Sequence, residues 1–219
     1  MTQVINLCFH GIGAPRRLLE PDEDRYWVTV DLFLHVLDEL AGRPNVNISF
    51  DDGNESDAGI ALPALRERGL TAQFFPVAGR LTQPGSLKRE HLRSLRAEGM
   101  ALGSHGMHHI SWRQLSSDDC HEELVAARDL LVEASDGPID VAALPFGRYD
   151  RSVLHALREL GYEKVYSSDR ARAWSQAWLQ PRYSVRSDDT VDTVRKILAE
   201  PSAREAFATR AKILIKRFR

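Results

Sequence analysis

Cysteine is scarce: only Cys8 and Cys120 occur in 219 residues. They stand far apart, and Cys8 falls in an apolar run where a buried free thiol is the ordinary state, so no disulfide framework is implied. A dominant charge is lacking as well. The 29 basic and 31 acidic residues leave a net charge of −2, which gives no global field for nucleic acid or an anionic membrane, and no nucleic-acid partner is expected. No run approaches the roughly 18 apolar residues of a membrane span. The N-terminus, Met-Thr-Gln-Val-Ile-Asn-Leu-Cys-Phe-His, has no basic start and too short an apolar stretch for a signal peptide. A cytoplasmic location, with contact at the inner face of the membrane at most, is the expectation. Low-complexity linkers and internal repeats are also missing, so nothing favours a second domain.

What is present is a chain that is 43% hydrophobic and long enough to bury a sizeable core as one domain over residues 1–219. Short apolar runs at 4–9, 46–50, 72–77, 100–104, 141–144, 164–167 and 183–185 alternate with helical patterns, the signature of βα units around a parallel sheet. Thr29 precedes Phe33, Val36, Leu37 and Leu40 at helical spacing and is the expected N-cap of the first helix. Ser116 with Asp119 resembles a capping box before a helix to about Ala134, and Asp150 opens a helix ending near Gly161. The expected fold is α/β: a single barrel of about seven parallel strands, distorted because it has one strand fewer than the usual eight. From about residue 203 a basic helix follows, with Arg204, Arg210, Lys212, Lys216, Arg217 and Arg219 around Phe207, Ile213, Leu214, Ile215 and Phe218. Two readings of it stand: a barrel-packing helix with a charged outer face, or a peripheral membrane contact.

The residues that follow the strands carry more information than the strands. His10 follows the first, Asp51-Asp52-Gly53 the second, His105 the fourth, Pro145-Phe146-Gly147 the fifth and Asp169 the sixth. In a parallel barrel the C-terminal strand ends share one face, so these polar groups should converge. His105 and His109, four residues apart, can reach one ion from the same side of a turn, while His108 points elsewhere. Adjacent Asp51 and Asp52 repel unless a cation or hydrogen bonds compensate. One can bind metal while its neighbour faces a water; the alternative is an Asx-turn or helix cap with Gly53.

Ser49-Phe50-Asp51-Asp52-Gly53, His105-Gly-Met-His-His109 and Ala143-Leu144-Pro145-Phe146-Gly147 together resemble, in order, three motifs of the polysaccharide deacetylases, the NodB-homology or carbohydrate esterase family 4 enzymes. The resemblance implies hydrolysis of an N-acetyl group on a sugar or sugar conjugate. In that scheme Asp51 is the general base, and Asp52, His105 and His109 hold one divalent ion, most simply Zn²⁺, with Co²⁺, Ni²⁺ or Mn²⁺ as alternatives. Pro145 and Phe146 line the pocket, and Trp112 is the expected sugar-stacking platform. An N-acetylated carbohydrate or glycoconjugate is the implied partner. Other readings are an amidase or imidase on a non-sugar C–N bond, and a non-catalytic carbohydrate-binding relative.

Two positions depart from the family pattern. Ala143 stands where an arginine usually orients the base, and the late Leu-x-His that supplies the acid is replaced by Leu179-Gln180-Pro181-Arg182. The chain also begins with a strand and His10 before the Asp-Asp motif, an arrangement similar to the circularly permuted poly-N-acetylglucosamine deacetylases. His10 is therefore the expected general acid, and Arg182, ahead of Arg148, the expected substitute for the arginine.

Overall fold

The structure, a computed structural model, describes residues 2–199 and Lys216. The basic C-terminal helix expected from about residue 203 otherwise lies outside the described residues. The wall is built from β1 (Gln3–Phe9), β2 (Val46–Asp52), β3 (Gln73–Pro76), β4 (Ala101–Leu102), β5 (Val141–Ala143), β6 (Lys164–Ser167), β7 (Leu179–Pro181) and β8 (Tyr183–Ser184). Hydrogen-bonded order runs β8–β1–β2–β3–β4 in one sheet and β7–β6–β5 in another, all these pairs being parallel.

Two joints connect the sheets. Ser104 makes a single parallel bridge to Ala142, carrying the wall from β4 to β5. On the other side β7 pairs with β6 and β8 pairs with β1, with Arg182 alone between them in sequence. One kinked segment, 179–184, thus takes the seventh place, and the seven sequence positions expected to form strands are the seven staves found. The hydrogen bonding is not continuous around the wall, which is the distortion expected of a seven-stranded barrel. Ala173–Trp174 adds an antiparallel pairing at the start of β1.

Alternation along the strands sorts side chains to two sides of the wall. Phe9, Phe50 and Phe74 occupy matched register positions on β1, β2 and β3. Phe50 stacks on Phe74 at 4.7 Å, and Phe9 meets Phe33 edge-on at 5.1 Å. Phe33 comes from α1 (Val30–Leu40), whose buried Phe33, Val36, Leu37 and Leu40 are the predicted stripe. Thr29 caps it, its hydroxyl accepting from the Leu32 N–H at 3.1 Å. The alternate positions Ser49 and Asp51 face inward, toward Arg182.

The outer layer continues with α2 (Leu62–Glu67) and α3 (Arg89–Ala97). Next, α4 (Ser117–His121) leads through a π-helical turn at Glu122–Ala126 into α5 (Ala127–Ser135), and α6 (Arg151–Glu159) and α7 (Val191–Leu198) complete the layer. Asp150 caps α6 as expected, accepting from the Val153 N–H at 3.0 Å. At α4 the Ser116 hydroxyl accepts from the Asp119 N–H, but the Asp119 carboxylate closes on that hydroxyl rather than on the Ser116 backbone. Among the described residues no helix is long and apolar enough to cross a membrane.

Candidate metal centre and catalytic cleft

A cleft of about 370 Å³ opens at the C-terminal ends of the strands and is lined by His10, Asp51, Asp52, His105, His109 and Phe146, among others. Asp52 ends β2 with φ +72 and His109 has φ +55, both in the left-handed region that non-glycine residues avoid. Such strain persists where the surroundings dictate it, and these two residues approach each other to 3.3 Å. Gly53 has φ +70, and a Cβ there would sit 2.9 Å from the Pro76 Cβ, so the turn after the two carboxylates requires glycine.

Asp52 Oδ1 lies 3.3 Å from His109 Nε2 and 3.6 Å from His105 Nε2. That oxygen is buried and has no hydrogen-bond partner among the described residues. Each imidazole has its far nitrogen engaged: His105 Nδ1 donates to the Ala143 carbonyl at 2.9 Å, and His109 Nδ1 to Glu20 Oε2 at 2.7 Å. With Nδ1 of each ring engaged in this way, both Nε2 atoms are left beside Asp52 Oδ1 without a hydrogen-bond partner there. One carboxylate oxygen and two imidazole nitrogens within 4.8 Å of one another are a donor set for a divalent ion that leaves open positions for water and substrate. Burial pushes the His105 imidazole down to about 4, so it presents a neutral lone pair.

Asp51 is held apart from this group. Arg182 Nη1 donates to Asp51 Oδ1 and Nη2 to Oδ2, both at 2.6 Å, and Nη1 also donates to Ser49 Oγ at 3.1 Å. The guanidinium is fully buried, over the rings of Phe75 and Tyr166. Burial alone would push the Asp51 carboxyl up, but Arg182 beside it, with His105 and His10, outweighs that and holds it well below the usual carboxylate range. Ala143, at the position where the motif usually carries arginine, instead gives its carbonyl to His105. The positive charge reaches Asp51 from the joint between β7 and β8.

His10 is half-buried and stacks on Tyr26 at 4.7 Å. A ring nitrogen of His10, a carboxylate oxygen of Asp51 and Cys8 Sγ lie within 4.8 Å of one another, so the imidazole faces the same space as Asp51. Phe146 stands on the tight turn Pro145–Gly147 with φ +56; its ring is 53% exposed and lies 4.5 Å from that of His109, with Arg148 over it at 5.5 Å. Pro145 is buried within the turn, and its neighbours Leu144, Phe146 and Arg148 line the cleft. His108 turns away, as expected, toward Glu122 at 2.8 Å.

Trp112 does not form a stacking platform. It is fully buried, and its indole N–H donates to Glu123 Oε2 at 3.0 Å. The reason lies in Glu123, which sequence reasoning passed over: its carboxylate also accepts from the Met107 N–H at 3.0 Å and the His108 N–H at 2.9 Å. One buried acid thus pins the loop between the two histidines, and Trp112 is its third donor. Gly106 packs against this clamp with φ +82, where a Cβ would sit 2.2 Å from Glu123 Oε2. Glu20 was also missed. It sits in an irregular stretch before α1 where no periodic pattern marks it, and only the folded chain brings it to His109, 89 residues away.

A family model described as polysaccharide deacetylase matches residues 39–165. A chitooligosaccharide deacetylase from Rhizobium leguminosarum bv. trifolii is 26% identical over 133 residues, which are 60% of this chain and 60% of that protein. The chain therefore spans well under two thirds of that curated relative. Among solved structures, the Streptococcus pyogenes deacetylase PplD in complex with acetate superposes with a TM-score of 0.79 at 17% identity, covering 91% of this chain and 99% of that one. IcaB from Ammonifex degensii superposes with a TM-score of 0.70 at 22% identity, covering 89% and 96%. At these identities the structural likeness concerns the fold.

Proposed function

Because the chain belongs to the polysaccharide deacetylase family, we propose that it is a metal-dependent hydrolase that removes an N-acetyl group from a sugar or sugar conjugate, releasing acetate and a free amine. The observation that carries this reading is the buried, unpartnered Asp52 Oδ1 facing the two free Nε2 atoms of His105 and His109. A cation there would satisfy all three, and zinc is the first expectation, with cobalt, nickel or manganese chemically admissible. When bound, the ion supplies Lewis-acid polarisation of the acetyl carbonyl and of a water.

The chain's own residues account for the proton transfers. Asp51, kept ionised by Arg182, takes the proton of the water as its oxygen bonds to the carbonyl carbon. His10 gives a proton to the departing amine as the C–N bond breaks. The Phe146 N–H stands as a donor for the oxygen that gains negative charge, and the exposed Phe146 ring, rather than Trp112, is the surface for a sugar face. A cytoplasmic location and an intracellular acceptor, a glycan precursor, lipid-linked sugar or small glycoconjugate, complete the proposal.

Metal analysis of the purified protein, with acetate release from N-acetylglucosamine oligomers and lipid-linked acceptors, tests it. The expectation is about one divalent ion per chain and activity abolished in Asp52→Ala. A protein that binds no divalent ion and releases no acetate from any of these substrates refutes the reading.

A further inference from the structure

We propose that Glu20 is a positioning residue for the metal centre: it orients the His109 ring and thereby sets how tightly the ion is held. The inference rests on the reading of Asp52, His105 and His109 as ligands. An imidazole offers Nε2 to a cation only when its proton sits on Nδ1, so whatever accepts from Nδ1 decides tautomer and ring angle together. For His105 the acceptor is a backbone carbonyl, that of Ala143, which no substitution removes. For His109 it is a side chain, Glu20, at 2.7 Å.

His109 has particular need of such a brace. It lies on a loop, with φ +55, so no helix turn sets its rotamer, and the ring beside it belongs to the exposed Phe146. Glu20 is itself held on both oxygens: Oε2 receives the imidazole proton, and Oε1 pairs with the buried guanidinium of Arg80. Arg80 Nη2 also lies 3.4 Å from His109 Nδ1. With Nδ1 already donating to Glu20, that contact is one donor facing another, so the carboxylate and not Arg80 is the partner of the ring. Glu20, itself held by Arg80, therefore keeps a proton on Nδ1 and leaves Nε2 as the nitrogen that faces Asp52.

The segment carrying Glu20 is anchored as a unit. The Glu23 carboxylate accepts from the Glu20 N–H at 2.8 Å and pairs with Arg17, whose Nε donates to Asn54 Oδ1 at 2.9 Å. Asn54 follows the metal carboxylate Asp52 by two residues. The brace on one ligand is thus tied through Glu23 and Arg17 to the turn that carries another. Carboxylate–imidazole–metal arrangements of this kind strengthen metal binding by roughly 10–100-fold.

The test is zinc titration of the metal-free protein in competition with a chromophoric chelator, with the visible spectrum of the cobalt-substituted protein as a second readout. Glu20→Ala is expected to weaken zinc binding by about 10–100-fold and to alter the cobalt spectrum. Glu20→Gln, which keeps an acceptor oxygen but loses the charge, should show a smaller loss. His35→Ala, which removes an exposed imidazole on α1, should bind zinc as the wild type does. If Glu20→Ala retains wild-type affinity and an unchanged cobalt spectrum, the role of Glu20 is overturned while the metal centre stands. If wild-type protein binds neither ion, the metal reading itself fails. Should Glu20→Ala not fold by circular dichroism, Glu20→Gln decides, and wild-type affinity in that variant overturns the proposal.

Discussion

Replacing Arg182 by methionine tests whether the buried pair with Asp51 governs both the base and the fold. Methionine keeps part of the aliphatic stem but loses the guanidinium that lies over Phe75 and Tyr166, and with it two charge-assisted hydrogen bonds of 2.6 Å and one to Ser49. Both partners of the pair are essentially sealed from solvent. Removing one member of such a pair costs about 3–5 kcal/mol, because the other charge is left buried and uncompensated. In the wild type the folded-state value of Asp51 lies below its unfolded value. Its contribution to stability is therefore present above the ordinary carboxylate range and is lost as pH falls through the folded value. Without Arg182, burial dominates and the folded value rises above the unfolded one. The stability difference between variant and wild type should then be largest near neutral pH and shrink on acidification, as the stranded carboxylate takes up a proton. In the same variant the acid limb of kcat/KM for acetate release should move up by roughly one to three pH units. Urea denaturation at pH 5 and pH 8, with a pH–rate profile, measures both effects. A loss below about 1 kcal/mol at pH 8, the size of an exposed pair, or an unmoved acid limb, would refute the assignment.

If His10 is the acid, His10→Gln should lower kcat by roughly 10²–10⁴-fold with little change in bound metal. A variant within a few-fold of wild type would remove His10 from the reaction. Glu123→Ala strands three N–H donors of the histidine loop and should destabilise the fold by roughly 3 kcal/mol and weaken zinc binding, read by thermal unfolding and chelator competition. Phe146→Ala should raise KM for sugar substrates more than it lowers kcat if its ring is the stacking surface, which steady-state kinetics resolves.

Much of the architecture can be read from the chain because apolar runs ending in polar residues mark the strands of a parallel barrel and the face where they end. Asp51, Asp52, His105 and Phe146 follow those runs directly, and the structure brings them to one cleft. Arg182 could be suspected from its place beside Pro181, yet its bond to Asp51 depends on the kink between β7 and β8, which periodicity does not reveal. Glu20 and Glu123 were illegible for a related reason. Each acts through distant backbone or ring N–H groups, and an isolated glutamate in a loop or on a helix reads as a solvated charge. Trp112 was misread because an aromatic next to a metal motif suggests a binding surface, whereas its indole N–H was needed inside, as a donor to Glu123. Short β4 shows the same limit: local preference extends the strand to Ser104, but the wall retains only a single bridge there.

The kinked segment 179–184 also bears on when, during synthesis, the protein acquires its chemistry. Asp51 and Arg182 are 131 residues apart in sequence. A ribosome that has released β1 to β6 has delivered Asp51, Asp52, His105 and His109, but not the guanidinium that neutralises the first of them. The same few residues seat β7 on β6 and β8 on β1. Closing that side of the wall and giving Asp51 its counter-charge thereby depend on the same late residues, and a nascent chain that stops short of them holds two adjacent carboxylates without the guanidinium that offsets one of them.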